Sequence, residues 1–598
     1  MYARAHWYAA FVQDDWRLTT RVTLNLGLRW EYNGSPVEKH NYDGSFNPNV
    51  NPTTTYAVQQ VGPGAPLTSF YKADYKDFSP RLGVAWDVRG NGKTVVRAGA
   101  SILRNPVVAG QYIGLSPFGA NVPSIGLNTS GKDINLHTPA QLALTTSQFT
   151  WTAAGPVFPG NQTSGVTCTV ATPCTTQAVN PNFRQPYSGQ WNLDIQRAIT
   201  NSLTLDLAYV GVHGVHEATW LDINQPPVGA GWNTPNAILG GLSPAAFCIA
   251  SATHAKPYDQ CGVPGKGVNK IVNNAIAANE AVSSPYYANF PYLNEIVQLG
   301  NQDFSNYDGL QVTVNERTSH GLSFLAGYTY AHALDIVSAD ATDQQPYPIN
   351  AYNVRLNYGN SDFDIRHRFT FSPTYLIPGM KSPGQMLQGW SISGIMTFQN
   401  GLPWSNSDVT NDIIGTGEFV GTISSALQPW NYSGPPSAFK AGPQTIPQLK
   451  GSAATATCKA AAEAPYAGDA RLVALADAAL ANYGCYAQGS GILTPPALGT
   501  IGNAGRNIFR VPNYYNVDMS IGKEWKIKER LTAQFRAEFF NVLNRADITV
   551  PAANNSGLDP GANSQFGCAC ATLDVQGNNP VLGSGGPRHI QFGLKLLF

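Results

Sequence analysis

The chain has 598 residues, and its 37 basic and 37 acidic side chains give a formal net charge of zero. Only 12% of the residues are charged, against about 25% in an average soluble domain. This balance argues against nucleic-acid binding through a basic surface. The sequence also lacks an apolar run of the roughly 18 residues that a transmembrane helix needs, so any membrane crossing would use β-strands.

Alternating apolar and polar residues predict β-hairpins along the whole chain. In the second arm of the first hairpin, polar residues separate Val22, Leu24, Leu26, Leu28 and Trp30, which is the period-two pattern of a strand. Further hairpins are predicted at residues 82–102, 191–209, 310–330, 369–398 and 516–545. Together with a last strand at residues 589–598, they give thirteen predicted strands.

The last strand has the length and pattern of a tilted transmembrane β-strand. About ten residues are needed for such a strand, and the chain stops on an aromatic residue, Phe598. This strand resembles the element that outer-membrane insertion machinery recognises. We therefore expect the assembly signal to consist of Phe592, Leu594, Leu596 and Phe598.

The connections between the predicted strands alternate strictly in length. Those inside hairpins are a few residues long, whereas those between hairpins cover residues 33–75, 105–182, 215–305, 335–361, 401–512 and 546–586. Compact soluble domains rarely contain a loop longer than about 15 residues, but outer-membrane barrels combine short periplasmic turns with long extracellular loops. The alternative, a soluble β-sandwich, does not explain the asymmetry. The predicted fold is therefore all-β: an antiparallel transmembrane β-barrel with long extracellular loops.

The eight cysteines form four sequence-local pairs within the long connections: Cys168/Cys174, Cys248/Cys261, Cys458/Cys485 and Cys568/Cys570. Local pairs in Gly/Pro-rich loops predict disulfides formed in an oxidising compartment. A metal site is the alternative, but no pair has Cys-x-x-Cys spacing with a matching second pair. The last pair is the least favourable, because so short a ring strains a disulfide.

One loop helix is predicted over residues 469–483. Leu472, Leu475, Ala476 and Ala479 recur at helical spacing, and Gly484 is a plausible end signal. Since Cys458 and Cys485 flank this segment, we expect it to act as a lid or a brace within its loop.

The sequence contains no constellation that predicts an enzyme, a cofactor or a metal site. His213 and His216 are two histidines without a third ligand nearby, which is more typical of polar loop residues than of a metal site. Asp362, Asp364, Arg366 and Arg368 are expected to share the inward face of a strand. Their charges would pair across a water-filled lumen, and structural pairing is favoured over substrate binding.

Ligand capture, if it occurs, is expected to use aromatic residues of the loops. Flat rings bind sugars and chelates at a small entropy cost, and loop packing is the alternative role. The candidates are Trp151, Trp220, Trp232, Trp404 and Trp430.

An ordered series of motifs resembles the barrel of TonB-dependent outer-membrane receptors, in particular the Oar-like group. The motifs are FVQDDW at residues 11–16, LNLGLRW at 24–30, FSPRLG at 78–83 and AEFFNVLN at 537–544, and the resemblance spans nearly the whole chain. Receptors of this family hold a plug inside a barrel of about 22 strands. The sequence shows no plug, no TonB-binding segment and no signal peptide. We therefore expect residues 1–598 to be the C-terminal part of a receptor that has about nine more strands upstream.

The resemblance implies an outer-membrane protein that takes up a scarce, bulky ligand with energy passed through TonB. Such a ligand would be an iron chelate, a cobalamin-like compound or an oligosaccharide. The expected partners are outer-membrane lipid, the barrel insertion machinery, the TonB complex through the missing N-terminal part, and a small or oligomeric ligand, but no nucleic acid. Two alternatives stay open: a plugless diffusion pore, and a surface adhesin or scaffold that uses its large disulfide-stapled loops.

Overall fold

The structure is a computed structural model, and it describes most of the chain. The exceptions are residues 1–2, 40, 42–43, 54–56, 106–149, 153–154, 158–169, 171–172, 252–267, 339–347, 418–427, 529–530, 552–556, 562–564 and 574–584. Among the described residues, no helix is long and apolar enough to cross a membrane.

Thirteen strands form one sheet in which each strand pairs antiparallel with its neighbours in the chain. The strands are β1 Trp7–Arg17, β2 Val22–Asn33, β3 Asp77–Asp87, β4 Thr94–Arg104, β5 Tyr187–Ala198, β6 Leu203–Asp222, β7 Leu293–Ser319, β8 Leu322–Asp335, β9 His367–Leu376, β10 Trp390–Gln399, β11 Tyr514–Lys528, β12 Leu531–Phe540 and β13 His589–Leu597. Two short strands also join this sheet, since Cys174–Val179 pairs parallel with β7 and Gly359–Asn360 pairs with β8. The predicted strands and their order are confirmed.

All short connections lie at one end of the sheet and all long ones at the other, because consecutive strands run in opposite directions. The short connections are residues 18–21, 88–93, 199–202, 320–321, 377–389 and 529–530. The long connections are residues 34–76, 105–186, 223–292, 336–366, 400–513 and 541–588, and we call their described residues the loop cap. The predicted asymmetry is confirmed.

The apolar face predicted from the alternation is exposed in the structure. Leu26 pairs with Leu82 across β2 and β3, and both side chains are exposed. On β13, Phe592 and Leu594 are 68% and 71% exposed. An exposed apolar face this wide would be an aggregation liability in water, but it is the required surface against lipid.

Aromatic rings mark the long-loop end of the apolar face. Tyr8 stacks on Tyr32 with ring centroids 6.1 Å apart, and Tyr32 stacks on Tyr75 at 4.9 Å. Trp30 adds a hydrogen bond of 2.8 Å from its indole nitrogen Nε1 to the carbonyl oxygen of Tyr75. Amphipathic rings favour the boundary between hydrocarbon and water, so this ladder is typical of the aromatic girdle of an outer-membrane barrel.

Lys523 is a charged residue on the apolar face of β11, and backbone carbonyls satisfy its ammonium group. Its Nζ donates to the carbonyl oxygens of Gln385 and Gln388 in the short connection between β9 and β10. It also lies 4.9 Å from the ring centroid of Trp525. The side chain is therefore buried in the turn rather than presented to lipid, as expected of a long cationic side chain near a membrane boundary.

The sheet does not close on itself within the described residues. β1 pairs only with β2, and β13 pairs only with β12. Both outer edges consequently present unpaired backbone N–H and C=O groups, which hydrocarbon does not tolerate. A bilayer form of this sheet requires a partner for each edge.

The loop cap contains more regular structure than the single helix predicted. The helices are α1 Ala230–Asn233, α2 Pro244–Ser251, α3 Val268–Ser283, α4 Gly451–Glu463 and α5 Ala470–Tyr483. Single-turn 3-10 helices are found at Ala237–Leu239, Val354–Asn357, Pro436–Ala438 and Ala464–Tyr466, and another at Pro383–Gln385 lies in a short connection. The expectation of one loop helix is therefore wrong in number.

The predicted helix itself is confirmed as α5. The Asp469 side chain accepts hydrogen bonds from the backbone N–H groups of Arg471 and Leu472, at 2.9 and 3.0 Å. Gly484 ends the helix at φ 72°, a conformation that glycine adopts without strain. α2 also has a start signal, because Oγ of Ser243 accepts a hydrogen bond of 3.1 Å from the N–H of Ala246 and proline is its first residue. α4, in contrast, is rich in alanine and has no side-chain cap.

Small paired strands complete the loop cap. Asn431–Ser433, Gly491–Thr494, Cys485–Gln488 and Gln448–Leu449 form a four-stranded sheet in that order. Two-stranded pairs join Ala3–Arg4 with Val37–Glu38, Gly44–Phe46 with Val58–Gln60, Thr150–Thr152 with Gly155–Val157, and Pro403–Trp404 with Phe509–Arg510.

We predict that Leu594→Asp blocks insertion into the outer membrane, as does removal of Phe598. A charge on the lipid face costs on the order of 2–4 kcal/mol for Arg or Lys at mid-depth and somewhat less for Asp. Heat-modifiable migration of the folded barrel in membrane fractions measures the outcome. The matched control is Gly593→Asp, because an added side chain at Gly593 meets no atom within 4 Å and points to the other face. Normal assembly of Leu594→Asp would contradict the predicted role.

Candidate binding site in the loop cap

An aromatic core holds the largest part of the loop cap together. Trp404 lies 4.9 Å from Phe509 and 6.0 Å from Phe566, and Phe566 lies 4.5 Å from Tyr486, measured between ring centroids. These four side chains are almost completely buried. Because Phe566 comes from the connection after β12 and the other three from the connection after β10, the core joins two long loops into one folded unit.

The tryptophans predicted to contact a ligand are mostly core residues. Trp220, Trp232, Trp404 and Trp430 are all buried. The indole nitrogen of Trp232 donates to the carbonyl oxygen of Asp412 at 2.9 Å, and that of Trp430 donates to the Asp408 carboxylate at 3.0 Å. Trp151 lies in the strand Thr150–Thr152, and its side chain is outside the described residues. The burial of these four favours the packing alternative, and ligand contact stays a prediction.

Ion pairs tie the connection after β8 to the connection after β10. The guanidinium of Arg506 pairs with Asp335 and, at 3.2 Å, with Asp362. Arg510 pairs with Asp364, which also accepts a hydrogen bond from Nε of Arg366 at 2.9 Å. Arg506, Asp335 and Asp364 are buried, where breaking a pair would leave an uncompensated charge.

Structural pairing is thus observed for Asp362, Asp364 and Arg366, but the prediction that they share a strand face and pair across a lumen is wrong. Asp362, Asp364 and Arg366 precede β9, and only Arg368 lies within it. The two carboxylates pair with arginines that follow them by more than 140 residues. Period-two reasoning could not find these partners, because they come from a different loop.

A second feature of the loop cap is buried carboxylates that face one another. Burial and the neighbouring Asp559 raise the pKa of Asp408 to about 7. Burial and Asp412 likewise raise the pKa of Glu280 well above its usual range. Asp412 accepts hydrogen bonds from the N–H groups of residues 415–417 at 2.7, 3.2 and 3.0 Å. A proton shared within each pair relieves the repulsion of like charges.

The two histidines considered as metal ligands have other contacts. Nδ1 of His213 lies 2.7 Å from the side-chain oxygen of Asn306, and the ring of His216 meets that of Tyr187 edge-on at 5.8 Å. Within the described part of the chain, no group of three or more His, Cys, Asp or Glu side chains could hold a metal ion.

The structure joins Cys458 to Cys485, with Cα atoms 6.6 Å apart. This disulfide connects α4 to the strand after α5, so the predicted staple is confirmed, and the role of the helix as a lid or a brace stays a prediction. Cys568 is also joined to Cys570, and Cys248 is disulfide-bonded. Cys168 and Cys261 lie outside the described residues, as does the side chain of Cys174, so those two pairings stay predictions.

Several cap residues of chemical interest were not found from the sequence. Arg506 and Asp335 are separated by 171 positions, and Asn406 and Asp408 lie in a segment without a recognisable motif. The only local signal is the run Gly-Asn-Ala-Gly-Arg at residues 502–506, whose glycines permit close approach of the backbone. Gly502 demonstrates this, because an added Cβ would lie 2.2 Å from the carbonyl oxygen of Pro429.

Residues 1–591 match the family model for the outer membrane beta barrel domain. The chain belongs to that family. It is therefore an outer-membrane protein, and the long connections of such barrels face the outside of the cell. No curated protein matches the chain.

Solved structures with a similar fold are outer-membrane receptors and transporters. A mutant of the ferric enterobactin receptor PfeA from Pseudomonas aeruginosa has 9% identity and a TM-score of 0.40, and the match covers 99% of this chain and 45% of that one. The transporter YddB from Escherichia coli has 10% identity, a TM-score of 0.36 and coverage of 91% and 42%. The siderophore receptor PiuA from Acinetobacter baumannii has 10% identity and a TM-score of 0.34, and the match covers 91% of this chain and 40% of that one. The chain spans less than half the length of these structures.

We predict that the region around Asp408 loses stability as the pH rises. The pKa of the Asp408 carboxyl is about 7 in the folded protein, above its ordinary value of 3.8. Between these two pH values the folded state therefore binds more protons than the unfolded state. The stabilisation is complete below about pH 4 and is lost as the pH rises to about 7. Replacing the partner, Asp559→Asn, should lower the pH at which this stability is lost, because the repulsion disappears while the larger cause, burial of Asp408, remains.

Hydrogen exchange of residues 405–412, corrected for the chemical exchange rate at each pH, measures the effect. The matched control is Asp469→Asn, because Asp469 is exposed and asparagine caps a helix equally well. A pH dependence that is the same in Asp559→Asn and in the unmodified protein would contradict the prediction.

We expect non-reduced peptide mapping of the protein from outer membranes to recover residues 458 and 485 in one cross-linked fragment. Each remaining cysteine should be linked to the other member of its own local pair. The same digest after reduction is the control. Free thiols at all eight positions would contradict the predicted staples.

Proposed function

We propose that this chain is the barrel portion of a TonB-energised receptor that takes up a scarce, bulky ligand. The observation that carries the proposal is the loop cap. Its long connections have a buried aromatic core and buried ion pairs instead of extending independently into solvent. A folded surface of this kind can present binding groups in fixed positions, which reduces the entropy lost when a ligand binds.

The number of strands supports a larger barrel. Thirteen strands with two open edges are not viable in a bilayer, and barrels of about 22 strands are those with a plugged lumen. We propose that about nine further strands and a plug complete the structure. The TonB contact would lie in that N-terminal part.

The resemblance of the motifs at residues 11–16 and 537–544 to TonB-dependent receptors supports the same assignment. In the structure these motifs fall on β1 and on the end of β12 with the turn that follows. Most of their residues lie in the barrel wall, and residues 541–544 begin the connection after β12. The motifs therefore support the class of barrel and leave the ligand to be identified from the cap.

We expect uptake to require TonB. Cells with the complete gene should accumulate a labelled ligand from a panel of ferric siderophores, cobalamin and oligosaccharides. Accumulation should fall to background after deletion of tonB or addition of a protonophore. The matched control is the Leu594→Asp variant, which should not reach the membrane.

Two results would contradict the receptor assignment. Accumulation that persists in the tonB deletion would favour the diffusion pore. A stop codon directly upstream of the Met1 codon, together with steady conductance by the purified chain, would do so as well. An in-frame plug sequence upstream supports the proposal.

A further inference from the structure

Basic residues are concentrated at the end of the sheet that carries the short connections. Within the six connections and the three residues on either side of each, the described residues include nine basic and two acidic side chains. The rest of the chain is left with 28 basic and 35 acidic residues. We call the nine basic residues the basic belt: Arg17, Arg21, Arg89, Lys93, Arg197, Arg317, Lys381, Lys526 and Lys528.

The basic belt is exposed and has no acidic partner in the part of the chain that the structure describes. All nine side chains are exposed, and none of them forms an ion pair with a described residue. Arg506 of the loop cap differs, because it pairs with Asp335. Beside the belt, the Asp87 carboxylate accepts hydrogen bonds from the N–H groups of Gly90 and Gly92 at 2.9 and 2.8 Å. The positive charge of the belt is therefore left for an external anion.

One member of the belt lies on the face that meets lipid. Arg197 is directly opposite Leu205 across β5 and β6, and opposed residues of antiparallel strands point to the same side. Leu205 belongs to the apolar series that continues with the exposed Leu207. Nη1 of Arg197 donates to Oγ1 of Thr94 at 2.7 Å, which holds the guanidinium at the strand ends. A long cationic side chain in this position can reach from the apolar face to lipid headgroups.

Exposed apolar side chains accompany the basic belt. The connection at residues 377–389 is attached to the lipid side of the sheet, because Nε1 of Trp390 donates to the carbonyl oxygen of Met386 at 2.7 Å. Nζ of Lys523 donates to two backbone carbonyls of the same connection. Met386 and Leu387 are 58% and 55% exposed. Apolar side chains beside Lys and Arg favour the boundary between hydrocarbon and water. Exposed apolar residues at other short connections are Leu18, Ile199 and Ile527.

The distribution of the belt indicates a membrane surface rather than a single protein partner. Basic residues occur at every one of the six short connections, so they follow the whole edge of the sheet at one end of the strands. A protein domain would contact part of that edge, whereas lipid headgroups surround all of it. The short connections of such barrels face the periplasm, so the periplasmic leaflet is the one in contact.

We propose that the basic belt binds the headgroups of anionic phospholipids in the periplasmic leaflet, so that the barrel selects anionic over zwitterionic lipid. Each Lys or Arg near an anionic membrane surface strengthens binding roughly fivefold. The proposal depends on the outer-membrane location and not on TonB or on the transported ligand. Its failure would therefore leave the receptor assignment untouched.

The test uses the complete protein, purified from outer membranes and reconstituted into phosphatidylcholine vesicles. Electron paramagnetic resonance of trace spin-labelled phosphatidylglycerol or phosphatidylcholine measures how strongly each lipid associates with the protein. We expect phosphatidylglycerol to be preferred about twofold or more when all lipid sites of both leaflets are averaged. The preference should disappear in about 1 M salt, where charges are screened beyond about 3 Å.

Two variants that remove the same number of charges test whether the position of the charge matters. The belt variant should lose about half of the preference, and it carries Arg89→Gln, Lys93→Gln, Arg197→Gln and Lys381→Gln. The loop-cap variant is the matched control and should keep the preference, and it carries Lys76→Gln, Lys270→Gln, Lys440→Gln and Lys450→Gln. All eight side chains are exposed, so both variants should fold, and heat-modifiable migration checks this.

A preference that falls in the belt variant and not in the loop-cap variant supports the proposal. It is overturned if phosphatidylglycerol is not preferred, if the preference survives high salt, or if both variants lose it equally. The cell wall is the alternative occupant of this surface. If the belt variant loses sedimentation with purified peptidoglycan while its lipid preference is unchanged, the proposal is overturned in favour of a cell-wall contact.

Discussion

Every backbone N–H and C=O group that enters hydrocarbon must find its partner inside the protein, and the rest of this structure depends on that constraint. It explains why each strand from β2 to β12 is paired with a strand on both sides, in simple chain order. The apolar side chains stand on one face with period two because successive residues of a strand point alternately toward lipid and toward the interior. Within the described residues, the open edges of β1 and β13 leave the constraint unmet, which supports the proposal that the sheet is part of a larger barrel.

The same constraint divides the long strands into a part that crosses the membrane and a part that lies beyond it. A transmembrane strand needs about 9–11 residues, and β9, β10 and β12 have 10 each. β6 and β7 have 20 and 27, so their additional residues extend beyond the membrane. There Trp220 pairs with Leu299 in a buried core. The pair of β6 and β7 thus faces lipid along one part of its length and packs into the loop cap along the other, because the strands pass from the membrane into water.

The sequence was sufficient for features that depend on local pattern, and insufficient for those that depend on distant partners. The strands and α5 were predictable, since alternation and the Asp469 and Gly484 end signals are read within a few residues. The role of the loop tryptophans was not predictable, because composition alone does not distinguish a ring that binds ligand from one that packs against Phe509 or Tyr486. The ion-pair partners of Arg506 were equally hidden, since Asp335 and Asp362 precede it by 171 and 144 residues.

Two kinds of buried charge in the loop cap respond to pH in opposite directions. Burial raises the pKa of Asp364, but the N–H of Ala333 and the guanidiniums of Arg366 and Arg510 lower it by more, so the net shift is downward. A lowered carboxyl pKa gives stability that is present at neutral pH and lost as the pH falls through the folded-state value. The paired carboxyls at Asp408 and Glu280 have raised values, so they contribute stability at low pH that is lost as the pH rises. The ion pairs hold the β8–β9 connection to the β10–β11 connection, whereas the carboxyl pairs hold the latter to α3 and to the connection after β12. Acid therefore weakens the ion pairs between loops, whereas a rise in pH to about 7 weakens the carboxyl pairs. Both sets of contacts persist together only between these limits, in addition to the aromatic core.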